Sequence, residues 1–219
     1  MRQIICASFL SLLFLGSLSL ISDGHASVVP TEPKDLLALL PQVPQNWKLL
    51  SSQGHNDMLG APGLISVAIR DYRFDPPPVR AADGTLIPTP LKTTNIKLID
   101  SGLDGCCERA FSFIRSTVPS SPGMKRYSLA GMPVLEEDKG GGKKKIVIAI
   151  ADRFELSLTL MNQDDKEAQA WIKLLDLPAL TAAAERAPKQ PVPKLAVSMT
   201  WVDELNPQSD HTAQMNYQP

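Results

Sequence analysis

Cys106 and Cys107 are the residues of this chain best suited to chemistry, because a thiol can act as nucleophile, redox centre or soft-metal ligand. Adjacent positions on a helix point about 100° apart, so a disulfide between the two would demand strained local geometry. Three readings stay open. The thiols are small apolar groups buried on a helix face, or they bond another chain or form a vicinal disulfide at a helix start. The third is a soft-metal site completed by His55, His211 or methionines. A nucleophilic enzyme also needs a base, and beyond Ala26 only His55 in SQGHND and His211 in SDHTA are offered. Both contexts read as polar loop or tail, and neither spacing implies a triad partner. Glu136-Glu137-Asp138, beside Gly140-Gly141-Gly142, reads as a solvated hairpin end, since calcium loops spread their ligands over alternating positions. Lys143-Lys144-Lys145 reads as an edge-protecting strand start rather than a phosphate site. The glycine run lacks the Lys-Ser/Thr and the strand-to-helix setting of a P-loop. No catalytic, cofactor or metal residue is assigned from these patterns, and the balance is against an enzyme.

The elements that would carry these residues are organised around positions 124–180. KKKIVIAIA from Lys143 is a β-rich apolar run, and FELSLTLM from Phe154 alternates Phe154, Leu156, Leu158 and Leu160 with polar residues. Asn162 to Asp165 breaks the pattern, and Lys166 to Leu177 then places Ala168, Trp171, Ile172 and Leu175 on one helical face. Upstream, Lys34 to Leu40 predicts a short helix stopped by Pro41, and Trp47 is expected in the core. LISVAIRDYRF from Leu64 predicts a strand ended by Pro76 to Pro78, with a loop or hairpin tip over Val79 to Thr93 and a returning strand at Asn95 to Ile99. Ser101 and Asp104 mark a helix start, and Leu103, Cys106, Cys107, Ala110, Phe111 and Ile114 share its apolar face. Lys125 to Leu129 and Pro133 to Glu137 read as one further strand interrupted at Gly131-Met132-Pro133, and a second short helix is expected from Pro178 to about Arg186.

Arg2, the uncharged run Ile4 to Ile21 and the small residues Gly24 and Ala26 predict a signal peptide over 1–26, hence an exported protein of the periplasm or exterior. Its removal takes away one of 22 basic and one of 23 acidic side chains, so the net charge stays at −1. That balance gives no electrostatic case for nucleic acid or an anionic membrane surface. Residues 27–187 are expected to form a single domain, and 188–219 a Pro-rich, mostly disordered tail in which Lys194 to Leu205 keeps a few apolar groups. The fold class is α+β, an antiparallel sheet of about five to six strands with helices packed on it.

Leu40-Pro41 with Trp47, Arg70 with Tyr72, Ile99-Asp100-Ser101, Gly131 with Glu136, and Asp152-Arg153-Phe154 occur in an order that resembles a loosely defined group of small exported bacterial proteins of unknown function. At fold level the order is also similar to the α/β sandwich of PsbP-like exported proteins, a likeness that transfers no function. With no catalytic set among its residues, the chain is expected to be a non-catalytic binding or accessory module of the cell envelope, with an unknown envelope protein or small ligand as partner and no cofactor. A thiol redox protein using Cys106 or Cys107 is the alternative.

Overall fold

The computed structural model describes residues 30–58, 64–100, 122–186 and 196–216. The expected leader, the helix expected after Ser101 and both Cys106 and Cys107 lie outside these residues.

The chain enters through helix α1 (Pro33–Ala38), which begins with proline in its first turn, where the missing N–H costs nothing. Strands β1 (Lys48–Met58) and β2 (Leu64–Phe74) follow, then a small two-stranded hairpin, β3 (Val79–Arg80) with β4 (Leu86–Ile87). Next come β5 (Lys92–Asp100), β6 (Met124–Leu129), β7 (Met132–Gly140), β8 (Lys143–Ile150) and β9 (Phe154–Met161). Helices α2 (Asp165–Leu174) and α3 (Leu177–Arg186) follow, and β10 (Ala196–Asp203) and β11 (His211–Asn216) end the described chain. All main-sheet pairings are antiparallel, in the order β11-β10-β1-β2-β5-β9-β8-β7-β6.

This is an α+β protein, but its sheet has nine strands where about five to six were expected from the sequence. The difference lies largely at one edge. β1 was not foreseen, because KLLSSQGHNDM carries little alternation and a bulge between Leu49 and Ser51 shifts its register. Nor were β10 and β11, placed in a region expected to be disordered. Residues 196–216 instead form a hairpin whose first strand pairs with β1 through Gln53↔Asp203, Gly54↔Val202 and His55↔Trp201. Backbone pairing and a few specific side chains hold that hairpin, and apolar composition does not count them.

Register defines one face of the sheet. Ile96 and Leu98 of β5, Ala68, Arg70 and Tyr72 of β2, Leu156 and Leu158 of β9, and Ile146 and Ile148 of β8 lie in matched rows. All are buried, in a core that also contains Leu36 and Leu37 of α1, Trp171 and Ile172 of α2 and Leu180 of α3. The helices therefore cover this face. Trp171 joins the β8–β9 core as its helical spacing requires, whereas Trp47 is half-buried, packed edge-on against Trp171 at 4.9 Å and against Phe74 at 5.7 Å.

Helix α2 starts where the sequence breaks. Asp164 accepts from the Glu167 N–H at 2.8 Å and the Glu167 carboxylate accepts from the Asp164 N–H at 3.1 Å, a reciprocal capping box. Asp176 accepts from the Ala179 N–H at 2.9 Å at the start of α3, with Pro178 in the first turn. Among the described residues no helix is long and apolar enough to cross a membrane.

Candidate functional site

At one end of the sheet two connections meet, the β7–β8 turn and the link from β9 to α2. The β7–β8 turn carries Gly140, Gly141 and Gly142 at φ of 74°, 59° and 76°, left-handed values that glycine adopts without a Cβ penalty. Asn162, itself at φ 55°, leads from β9 toward α2, and its N–H donates to the Gly142 carbonyl at 2.7 Å. The approach is close enough that a Cβ on Gly142 would lie 2.6 Å from Asn162 Oδ1. Between this turn and the first turn of α2 opens a cleft of about 610 Å³, lined by the three glycines, Asp138, Lys143, Lys144 and residues 163–166.

Lys144 forms one side of the cleft. β8 is an interior strand between β7 and β9, so Lys143 to Lys145 do not protect an edge. The side chain of Lys144, 12 % exposed, is ion-paired with Asp165 and lies 3.5 Å from the Glu136 carboxylate. Burial works against its charge, but the bonds and charges of Asp165 and Glu136 outweigh it and raise the ammonium above the usual lysine value. Glu136 is likewise not part of a solvated hairpin end. It is buried on the helix-covered face, with Lys125 at 3.7 Å and the Tyr127 hydroxyl donating to it at 3.3 Å. Burial first, then the charge and hydrogen bond of Glu136, push the Tyr127 hydroxyl up to about 12, so it stays a donor. Glu137, half-buried, and Asp138, exposed, follow Glu136 on β7.

A second, smaller pocket of about 120 Å³ adjoins the cleft through Gln163 and is lined by Pro44, Trp47, Trp171, Leu174, Ala170 and Glu167. Gln163 is fully engaged. Its amide nitrogen donates to the Thr93 carbonyl at 2.7 Å and to the Thr94 hydroxyl at 2.8 Å, and its oxygen accepts from Trp171 Nε1 at 2.9 Å. A rigid polar post thus separates a charged cleft from an aromatic one, and Leu174 and Val43 remain exposed nearby in sequence.

Six of the residues that carried the resemblance, Leu40, Pro41, Arg70, Tyr72, Asp100 and Arg153, lie in two polar clusters. Arg70 donates to the carbonyls of Leu40 at 2.8 Å and Pro41 at 3.1 Å, and the Tyr72 hydroxyl donates to the same Pro41 carbonyl at 2.5 Å. Burial, opposed by neighbouring Arg70, pushes that hydroxyl up to about 12. Asp100 accepts from Arg153 at 3.0 and 2.9 Å and from Thr31 at 2.7 Å. Each cluster ties separate elements and satisfies buried charge. Arg70, directly after the apolar stretch Leu64 to Ile69, is the hint of the first in the sequence, since a buried arginine must find acceptors.

The two histidines stand on strands, not in loop or tail. His55 of β1 stacks on Trp201 of β10 at 4.9 Å, and Trp201 faces His211 of β11 at 6.4 Å. His55 Nδ1 is buried without a hydrogen-bond partner, and His211 Nδ1 meets the Ser209 carbonyl at 3.0 Å, so neither of these nitrogens is set against a hydroxyl. Among the described residues no cluster of three or more His, Cys, Asp or Glu is arranged to hold a metal ion.

No family model matches the chain, and neither does any curated protein or solved structure compared with it.

Proposed function

We propose that the protein is a non-catalytic binding or accessory module of the cell envelope, exported after removal of residues 1–26, and that it binds through the paired cavities at the start of α2. The observation that carries this reading is their adjacency. A cleft lined by Lys143, Lys166, Asp138, Asp164 and the Lys144–Asp165 ion pair shares the Gln163 post with a pocket walled by Trp47 and Trp171. Such a site suits a ligand with a polar or charged group at one end and a compact apolar group at the other, as on a short peptide segment or an amphipathic small molecule. The glycine turn and capped helix give the cleft walls that need little ordering on binding.

The reading is tested by screening small amphipathic acids, amines and dipeptides against the isotopically labelled protein. Binders should perturb the Trp47 indole and the Gly140 to Gly142 amides together, and Trp47→Ala should abolish the effect while the fold persists. Perturbations confined to other surfaces would overturn it. The export step is tested separately by the mass of the chain recovered from its native envelope, which should begin at Ser27.

A further inference from the structure

Arg70 is 4 % exposed at the centre of the helix-covered face, and its guanidinium cannot shed its charge. Nε donates to the Ser52 hydroxyl oxygen at 2.9 Å, Nη1 serves the Leu40 and Pro41 carbonyls, and Nη2 donates to a Glu204 carboxylate oxygen at 2.7 Å. The hydroxyl of Ser52, itself fully buried, donates to that same carboxylate oxygen. Three of these four acceptors belong to the turn after α1 and to β1. The anion alone is supplied by the C-terminal hairpin. Without Glu204, two fixed donors, Arg70 Nη2 and Ser52 Oγ, would converge on the position of a single oxygen, which is the geometry of a carboxylate receptor.

The hairpin that carries Glu204 has a longer hydrogen-bonded ladder within itself than to the sheet. β10 and β11 pair from Ala196↔Asn216 to Trp201↔His211, whereas β10 pairs with β1 only from Gln53↔Asp203 to His55↔Trp201. Docking adds the Glu204 N–H on the Ser52 carbonyl at 2.8 Å, Gln53 on Asp203 at 3.1 Å, the Thr200 N–H on Asn56 at 3.1 Å and the His55–Trp201 stack. Val202 also packs against the main core, and a unit with its own internal ladder can leave the sheet as one piece.

We propose that Arg70 and Ser52 form a carboxylate-binding site that the chain's own Glu204 occupies, so that the β10–β11 hairpin is a displaceable plug and an external carboxylate takes its place when the hairpin lifts. This site shares no residue with the cleft at α2 and stands whether or not that cleft binds a ligand. Its ligand chemistry is a single carboxylate, carried either by a small organic acid or by an acidic side chain on an added strand along β1.

The test uses the full chain with Glu204→Ala, and sodium formate as the free acid against a synthetic peptide of residues 196–216 as the strand-borne one. Formate, compared with chloride at equal ionic strength, should raise the thermal midpoint of Glu204→Ala by about 3 °C while leaving the wild type unmoved. Adding Ser52→Ala should remove the response. Rescue by the peptide alone would assign the site to strand-borne carboxylates, and rescue by formate would show that a free acid suffices. An equal formate response in wild type and variant, or rescue by neither, overturns the proposal. Should Glu204→Ala fail to fold, the wild type decides. High formate should then accelerate amide exchange over residues 200–203 about threefold relative to β9, and exchange independent of formate overturns the site.

Discussion

Trp171 is 3 % exposed, sits edge-on to Trp47 at 4.9 Å, lies 4.9 Å from Tyr72 and gives its N–H to Gln163 at 2.9 Å. Trp171→Ala removes the apolar area and leaves the Gln163 oxygen unpaired, and should cost about 3–5 kcal/mol in denaturant unfolding. Trp171→Phe should recover most of that. An alanine variant with an unchanged midpoint would mean that α2 does not lock onto the sheet. Gly54 works in the opposite sense. A Cβ there would lie 2.9 Å from Pro33 Cβ, 3.0 Å from the Pro33 carbonyl oxygen and 3.1 Å from Leu37 Cδ1, so Gly54→Ala must push α1 off β1 and should cost about 1–3 kcal/mol. A midpoint equal to that of the wild type would show that α1 yields freely. Trp171 was legible in the sequence because Ala168, Trp171, Ile172 and Leu175 repeat at helical spacing. Gly54 was not, because close packing of a helix on a strand leaves no periodic mark.

The same contrast holds for the elements. β2, β8 and β9 are interior strands, and the apolar alternation of β2 and β9 and the continuous apolar run of β8 mark them out. The β10–β11 hairpin is an edge element whose side chains do other work. His55, against Trp201 and near Asp57 and Lys97, has its imidazole lowered from the ordinary value, burial being the main cause, with Lys97 adding to it and Asp57 opposing. The freed imidazole, with an ordinary pKa of about 6.5, binds protons more readily than the docked one, so docking is strongest above that pH and weakens as the pH falls below it. Glu204 acts lower. Its partial burial opposes ionisation, but the bonds from Ser52 and Arg70 and the charge of Arg70 outweigh this and hold its carboxyl below the usual range. Its contribution is present above an ordinary glutamate pKa of about 4.3 and disappears as the pH falls through the folded value. Amide exchange over 200–203 should therefore quicken between pH 7 and pH 5 after correction for intrinsic rates, and again in more acid solution. His55→Phe should abolish the first step and keep the second. Persistence of the first step in that variant would assign it to another group.

At the scale of the molecule, the C-terminal hairpin returns to β1 at one edge of a sheet whose other edge is β6, so the chain's last described strands close onto its first. Sequence reading placed a boundary near Ala187 because 188–219 is rich in proline and poor in large apolar groups. That reasoning weighs burial alone, and the hairpin is tied in by a ladder, a ring stack and one carboxylate on a buried arginine. Ending the chain after Arg186 is the decisive comparison. If the tail were a passive appendage, stability would not change. The structure instead leaves Arg70 buried with no anion. Loss of one partner of a fully buried pair costs about 3–5 kcal/mol, and because the Glu204 side chain is 36 % exposed the expected loss here is smaller, about 1–2 kcal/mol from the pair, with the lost strand pairing added. The electrostatic share can be isolated. In the shortened chain, Arg70→Met removes the stranded charge and should restore part of the midpoint, whereas in the full chain the same change should destabilise, because it strands Glu204 and frees the Leu40 and Pro41 carbonyls. Opposite signs in the two backgrounds would place the origin of the hairpin's hold in the Arg70–Glu204 pair. The same sign in both would leave the ladder and the His55–Trp201 stack as its basis.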